Sequence, residues 1–166
     1  MILGPAGAGK TRLAWLLAER TGLPVVHLDL LFWRPGWKPA PLTEARAAVA
    51  DAAEEPRWIM EGDFLGKGLD DPRFSRADTV VFLDVPRARC LWRVLSRSVR
   101  DRGRARADLP EGCLEGFDLP LLRWIWRYPA VNRPRVLELL DRLRARGVAV
   151  HHLGSEGDVR GLLSGV

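Results

Sequence analysis

Gly4-Pro5-Ala6-Gly7-Ala8-Gly9-Lys10-Thr11 matches the pattern G-x-x-x-x-G-K-[ST] without a gap. By average residue usage that pattern arises by chance at roughly one position in tens of thousands. Each residue type in it has a physical task. Around Pro5, the small residues Gly4, Ala6, Gly7, Ala8 and Gly9 keep side chains away, so backbone N–H groups can converge on phosphate oxygens. The stretch before the loop is apolar and the stretch after it is amphipathic, so the loop leads from a strand into a helix. The partial positive charge at that helix N-terminus adds to the cradle. In such a loop Lys10 reaches the β- and γ-phosphates, and the Thr11 hydroxyl is a ligand for Mg²⁺.

Outward from the loop, the chain alternates short apolar runs with longer helical ones. Only Met1, Ile2 and Leu3 precede Gly4, where a strand feeding such a loop has about five or six residues. Either this strand is short or it begins upstream. Helices are predicted over 12–20, 42–55, 86–100, 119–128, 131–146 and 157–163, and strands over 24–29, 58–61, 79–85 and 148–153. Residues 33–41 hold three prolines and Gly36, so they read as irregular, and 62–76 reads as a loop. Strands separated by helices imply parallel pairing with right-handed crossovers. The expected fold is α/β: a three-layer α/β/α sandwich on a five-stranded parallel sheet. It spans 1–166 as one domain, with an acceptor-side segment at 30–56 and an arginine-rich lid at 101–118. Ligands belong at the carboxyl ends of the strands.

Composition narrows the partners. The 166 residues are 47% hydrophobic and 28% charged, enough for a core and too polar for a membrane protein. No apolar run approaches the roughly 20 residues that span a bilayer. No leader pattern precedes a small-residue cleavage site, so a cytoplasmic location is expected. Cys90 and Cys113 lack metal-ligand spacing and are too few for a disulfide framework. The net charge is +5, yet residues 87–106 hold eight arginines against one acid, Asp101. That stretch carries +7 by itself, leaving about −2 elsewhere. The positive charge is therefore a local device for phosphate in some form.

Three acids fall where strands meet the ligand edge: Asp29, Glu61 and Asp84. Phosphoryl transfer uses such carboxylates to orient Mg²⁺ or to hydrogen-bond an acceptor. Asp29 is expected to end its strand beside the acceptor, Glu61 to sit on the metal side, and Asp84 to serve as a cap or structural acid. His27, two residues before Asp29, falls on the same strand face and reads as a structural histidine or a substrate contact. Arg93, Arg97, Arg100 and Arg104 follow one helical stripe. Mobile arginines of this kind close over a triphosphate. Trp33 and Trp37 flank an irregular turn beside the strand ends, where an acceptor would lie.

The chain resembles the adenylate-kinase-like P-loop proteins known as DNA topology modulation proteins. The resemblance rests on GPAGAGKT (4–11), HLDLLFWRPGW (27–37), WIMEGDF (58–64), ADTVVFLDVPRARCLWRVLSR (77–97) and RWIWRYP (123–129). It implies strand order 2-3-1-4-5 and a lid after the fourth strand. It implies that Arg93 and Arg97 are ATP-binding lid arginines, with Arg104 and Arg106 resembling later ones. Glu61-Gly62 stands where an Asp-Gly pair is usual, and Asp63 and Phe64 stand where Asn and Tyr are frequent. The resemblance also implies that the loop after the fifth strand, Leu153-Gly154-Ser155, holds adenine.

The expected activity is ATP-dependent and Mg²⁺-dependent phosphoryl transfer to a small molecule, a nucleotide or nucleoside. Lys10, Asp29, Arg93 and Arg97 are its catalytic candidates. His27, Asp29, Trp33, Trp37, Glu61, Asp63 and Arg104 are candidates for acceptor binding, and Thr11 with Glu61 for the metal. The alternatives are a nucleotide-regulated DNA-binding protein, which lacks any recognised DNA-binding motif here, and an NTPase without an acceptor.

Overall fold

The computed structural model describes residues 1–63 and 71–166. Five parallel strands form the central sheet: β1 (Ile2–Leu3), β2 (Val25–His27), β5 (Ile59–Glu61), β6 (Thr79–Leu83) and β7 (Ala149–Leu153). Their order is β2-β5-β1-β6-β7. Counting only these strands, that is the expected 2-3-1-4-5. β1 is central and has just two residues, yet Ile2 is in register with Glu61 on one side and Val81 on the other.

β6 organises the core through its two-residue period. Val80 and Phe82 point to one face, where they meet Tyr128 of α6 (Leu119–Val131) and Val136, Leu139, Leu140 and Leu143 of α7 (Arg133–Ala145). Val81 and Leu83 point to the other, against Leu13 and Ala14 of α1 (Lys10–Thr21) and Cys90 and Val94 of α5 (Arg87–Arg100). All four β6 side chains are buried, worth roughly 2 kcal/mol apiece in removed apolar surface. Helix, sheet and helix make the three layers. A third cluster, Leu28, Phe32, Ala45 and Val49, joins α2 (Leu28–Phe32) to α3 (Leu42–Glu54).

Several expectations change. The strand expected over 24–29 stops at His27, and LDLLF turns into α2. Asp29 therefore lies in a helix's first turn and does not share a strand face with His27. Burial drives this change, because the helix directs both Leu28 and Phe32 inward. Residues 33–41 contain an antiparallel pair, β3 (Trp33–Arg34) with β4 (Lys38–Pro39), closed over Gly36 and Trp37 at positive φ. The last turn of the 62–76 loop is a short helix, α4 (Arg73–Arg76). Phe64 lies outside the described residues. Pro129 sits within α6, and the break to α7 falls at Asn132. The closing helix, α8 (Glu156–Ser164), starts at a Ser155–Asp158 capping box.

The phosphate-loop glycines are set by packing as well as by φ. Gly4 has φ +143, and a Cβ there would lie 2.7 Å from the Leu83 carbonyl oxygen. Gly4→Ala should therefore destabilise the protein by about 3 kcal/mol through combined clash and backbone strain. Urea denaturation followed by circular dichroism checks this.

Candidate functional site

The loop Gly4–Gly9 emerges from β1 and enters α1, whose first two residues are Lys10 and Thr11. Gly7 and Gly9 have φ +80 and +102, which keeps the backbone turning around a hollow. Lys10 Nζ donates to the Pro5 carbonyl at 3.3 Å, so the ammonium lies over the loop. Arg93, on α5, donates to the carbonyls of Gly7 (3.4 Å) and Ala8 (3.2 Å) and to Glu156 Oε1 (3.0 Å). It holds carbonyls that cannot themselves bind phosphate, leaving the amides to the hollow.

Thr11 meets the end of β5. Its Oγ1 lies 3.0 Å from Glu61 Oε1 and 3.1 Å from Asp108 Oδ2. Glu61 Oε1 is also 2.9 Å from His27 Nδ1. The Trp15 indole N–H donates to His27 Nε2 at 3.3 Å, which leaves the proton on Nδ1, facing Glu61. His27, Glu61 and Asp108 each present a ligand atom within 4.8 Å of the others. Burial works against the Glu61 charge. Even so, its hydrogen bond from His27, the nearby Lys10 and the Thr11 hydroxyl hold its carboxyl below the usual range. Burial raises the Asp29 carboxyl, with Lys10 opposing and Glu61 adding to the rise. Asp29 therefore sits within electrostatic reach of the loop lysine.

Loop 101–118 folds over this cluster. Backbone bonds join Gly103 N to Glu115 O and Glu115 N to Arg104 O, and Ala105 bridges Leu114. Arg106 binds both carboxylate oxygens of Asp108 and donates to Glu115 Oε1 at 3.1 Å. Arg97 Nε lies 2.9 Å from the same Glu115 oxygen, off the hydrogen-bonding axis. Arg104 is exposed. The acids Asp108 and Glu115 were not among the expected site residues. Their one sequence signal was being acids within an arginine-rich loop.

Other expected residues lie apart from the cluster. Trp33 and Trp37 pack edge to face at 5.6 Å. Trp37, still 43% exposed, is tied to loop 101–118: its amide donates to Cys113 Sγ and its indole to the Leu114 carbonyl. Asp63 faces the buried Tyr128, whose phenol is driven upward by burial and then by that carboxylate. Gly154 and Ser155 donate their amides to Asp158 Oδ2, which occupies both in the α8 cap. Asp84 accepts from Arg133 and lies 2.7 Å from His152 Nε2, a structural role. It lines a cavity of about 270 Å³ beside Pro5, with Arg87, Tyr128 and Arg133.

Sheet order and loop together define an α/β P-loop fold, with the phosphate loop at the end of the central strand. No family model matches the chain. The chain is similar to an adenylate kinase from Nocardia farcinica (strain IFM 10152). They are 29% identical over a match that covers 71% of this chain and 84% of that protein. A solved structure of deoxyadenosine kinase from M. mycoides with bound dCTP aligns over 99% of this chain and 96% of its own, at 11% identity and a TM-score of 0.48. That likeness is too distant to bear on function. Among the described residues, no helix is long and apolar enough to cross a membrane.

The His27 imidazole is raised above its ordinary 6.5, chiefly by the hydrogen bond to Glu61 and against burial. A charged ring also carries a proton on Nε2 and so no longer accepts from the half-exposed Trp15 indole. A raised folded value means that the stabilisation is complete below 6.5 and is lost as pH climbs through the raised value. The melting temperature of the wild type should therefore exceed that of His27→Gln most near about pH 6, with the gap narrowing toward about pH 9. Thermal melts across that range check it.

Proposed function

We propose that this protein is a P-loop kinase that transfers the terminal phosphoryl group of ATP to a small acceptor, a nucleotide or nucleoside, with Mg²⁺. The observation that carries the proposal is the placement of Thr11 Oγ1 within 3.1 Å of two carboxylates at the mouth of a complete phosphate loop. The similarity to an adenylate kinase supports a nucleotide-directed reaction.

The donor set suits the metal: a hydroxyl and carboxylate oxygens are hard ligands for Mg²⁺. Thr11 and Glu61 would hold it, and when bound it would neutralise charge on the β- and γ-phosphate oxygens. The loop amides and Lys10 bind the triphosphate. Arg97 and Arg93 stand on the helix facing the loop and add positive charge as the phosphoryl group moves. Asp29, within electrostatic reach of Lys10, orients the acceptor. The acceptor oxygen forms the new bond to phosphorus, an acceptor hydroxyl passing its proton to the Asp29 carboxylate, while the bridging bond of ATP breaks and ADP leaves. Water exclusion falls to loop 101–118, with His27 aligning Glu61. Arg104, exposed on loop 101–118, would reach an acceptor there, and the turn at Gly154 and Ser155 would lie against the base.

A DNA-binding role draws less support. Arg93, Arg97, Arg100 and Arg106 are each paired with an acid, which leaves less free positive charge for a duplex.

Lys10→Ala should lower phosphoryl transfer on the order of 10³-fold with circular dichroism unchanged, since it removes a donor aimed at transferring charge. ADP release measured with a panel of nucleosides, nucleotides and sugars checks both the rate and the acceptor. ADP release that no acceptor stimulates would point to an NTPase. DNA affinity persisting under saturating ATP would point to the DNA-binding role.

A further inference from the structure

The lid loop brings an acid to the phosphate loop as well as arginines. Asp108 is 2% exposed and lies 97 residues along the chain from Thr11, yet its Oδ2 is 3.1 Å from the Thr11 hydroxyl. Glu61 Oε1, on a residue 3% exposed, is 3.0 Å from the same oxygen. A threonine hydroxyl carries one proton, so it donates to only one of these carboxylates. The other contact sets a carboxylate oxygen against a lone pair. Such a contact becomes favourable when a cation, rather than a proton, sits among the three oxygens.

The spacing suits that cation. Neighbouring oxygens around an octahedral Mg²⁺, with metal–oxygen lengths of about 2.0–2.1 Å, stand about 2.9 Å apart. Both separations lie close to that value. Asp108 is also held firmly. Arg106 binds both of its oxygens from the loop side and is itself tied to Glu115, whose backbone closes the loop. His27 is an aligning group rather than a ligand, because Trp15 donates to Nε2 and the proton on Nδ1 points at Glu61.

We propose that Asp108 is a metal-holding residue: with Thr11 and Glu61 it completes an all-oxygen site for the divalent cation that accompanies the nucleotide. The cation then ties loop 101–118 to the phosphate loop, so metal binding and lid closure are one event. The proposal rests on the phosphoryl-transfer reading and adds to it a carboxylate supplied by the lid.

Mn²⁺, followed by electron paramagnetic resonance with a saturating non-hydrolysable ATP analogue, provides the test. Asp108→Asn should weaken Mn²⁺ binding by about 10- to 100-fold. Its affinity for the analogue in EDTA should match that of the wild type. Unchanged Mn²⁺ affinity overturns the proposal. So does an equal loss of analogue affinity in EDTA, which would mark Asp108 as merely structural. A second measurement needs no variant. In the wild type with analogue, adding Mn²⁺ should slow amide hydrogen exchange across 103–115, and no slowing overturns the proposal. A wild type that takes up neither analogue nor Mn²⁺ would refute the phosphoryl-transfer reading itself.

Discussion

Everything at the site depends on how closely the backbone of loop 4–9 approaches β6 and α5. A Cβ at Gly4 would press on the Leu83 carbonyl, and one at Gly7 would lie 2.5 Å from the Cys90 carbonyl oxygen. The loop has no space for side chains on that side, so its amides turn the other way. The same contact fixes where α1 begins, and hence where Lys10 and Thr11 emerge. Because β1 and β5 are in register at Ile2 and Glu61, the Thr11 hydroxyl arrives beside the one acid that ends β5. β1 is held by neighbours on both sides, and Ile2 and Leu3 are both buried.

Electrostatics at the site is organised in pairs. Half of the eight arginines in the +7 stretch, Arg93, Arg97, Arg100 and Arg106, are paired with acids, while Arg87, Arg89, Arg102 and Arg104 are exposed. Arg97 and Arg106 converge on Glu115, Arg106 also holds Asp108, and Arg93 holds loop carbonyls and Glu156. Buried acids paired in this way keep the arginines ordered without a ligand. A polyanion that displaces such a carboxylate from an arginine exchanges one negative partner for another, with little net desolvation.

Much of this was legible in the sequence. The phosphate loop, the buried β6, the α/β alternation and Glu61 at a strand end follow from motif and period. The strand order came through family resemblance, and the sheet has that order. Asp29 was misplaced because alternation cannot tell a strand's last residues from the first turn of a helix. LDLLF reads either way until Leu28 and Phe32 find the same core as Ala45 and Val49. Trp37 is an acceptor-binding candidate from its place in an irregular turn, and sequence does not reveal its bonds to Cys113 and Leu114. Asp108 was invisible for a related reason: an irregular loop has no period to say which of its side chains points inward. The arginines drew the eye, and the acid they hold did not.

The turn between β3 and β4 and the loop over the site are joined to each other. The Trp37 amide and indole reach Cys113 and Leu114, and the Cys113 thiol donates to the Arg34 carbonyl at 3.4 Å. The turn and the loop thus share a seam with a sulfur at its centre, and they part only by breaking it, so a movement of one is coupled to the other.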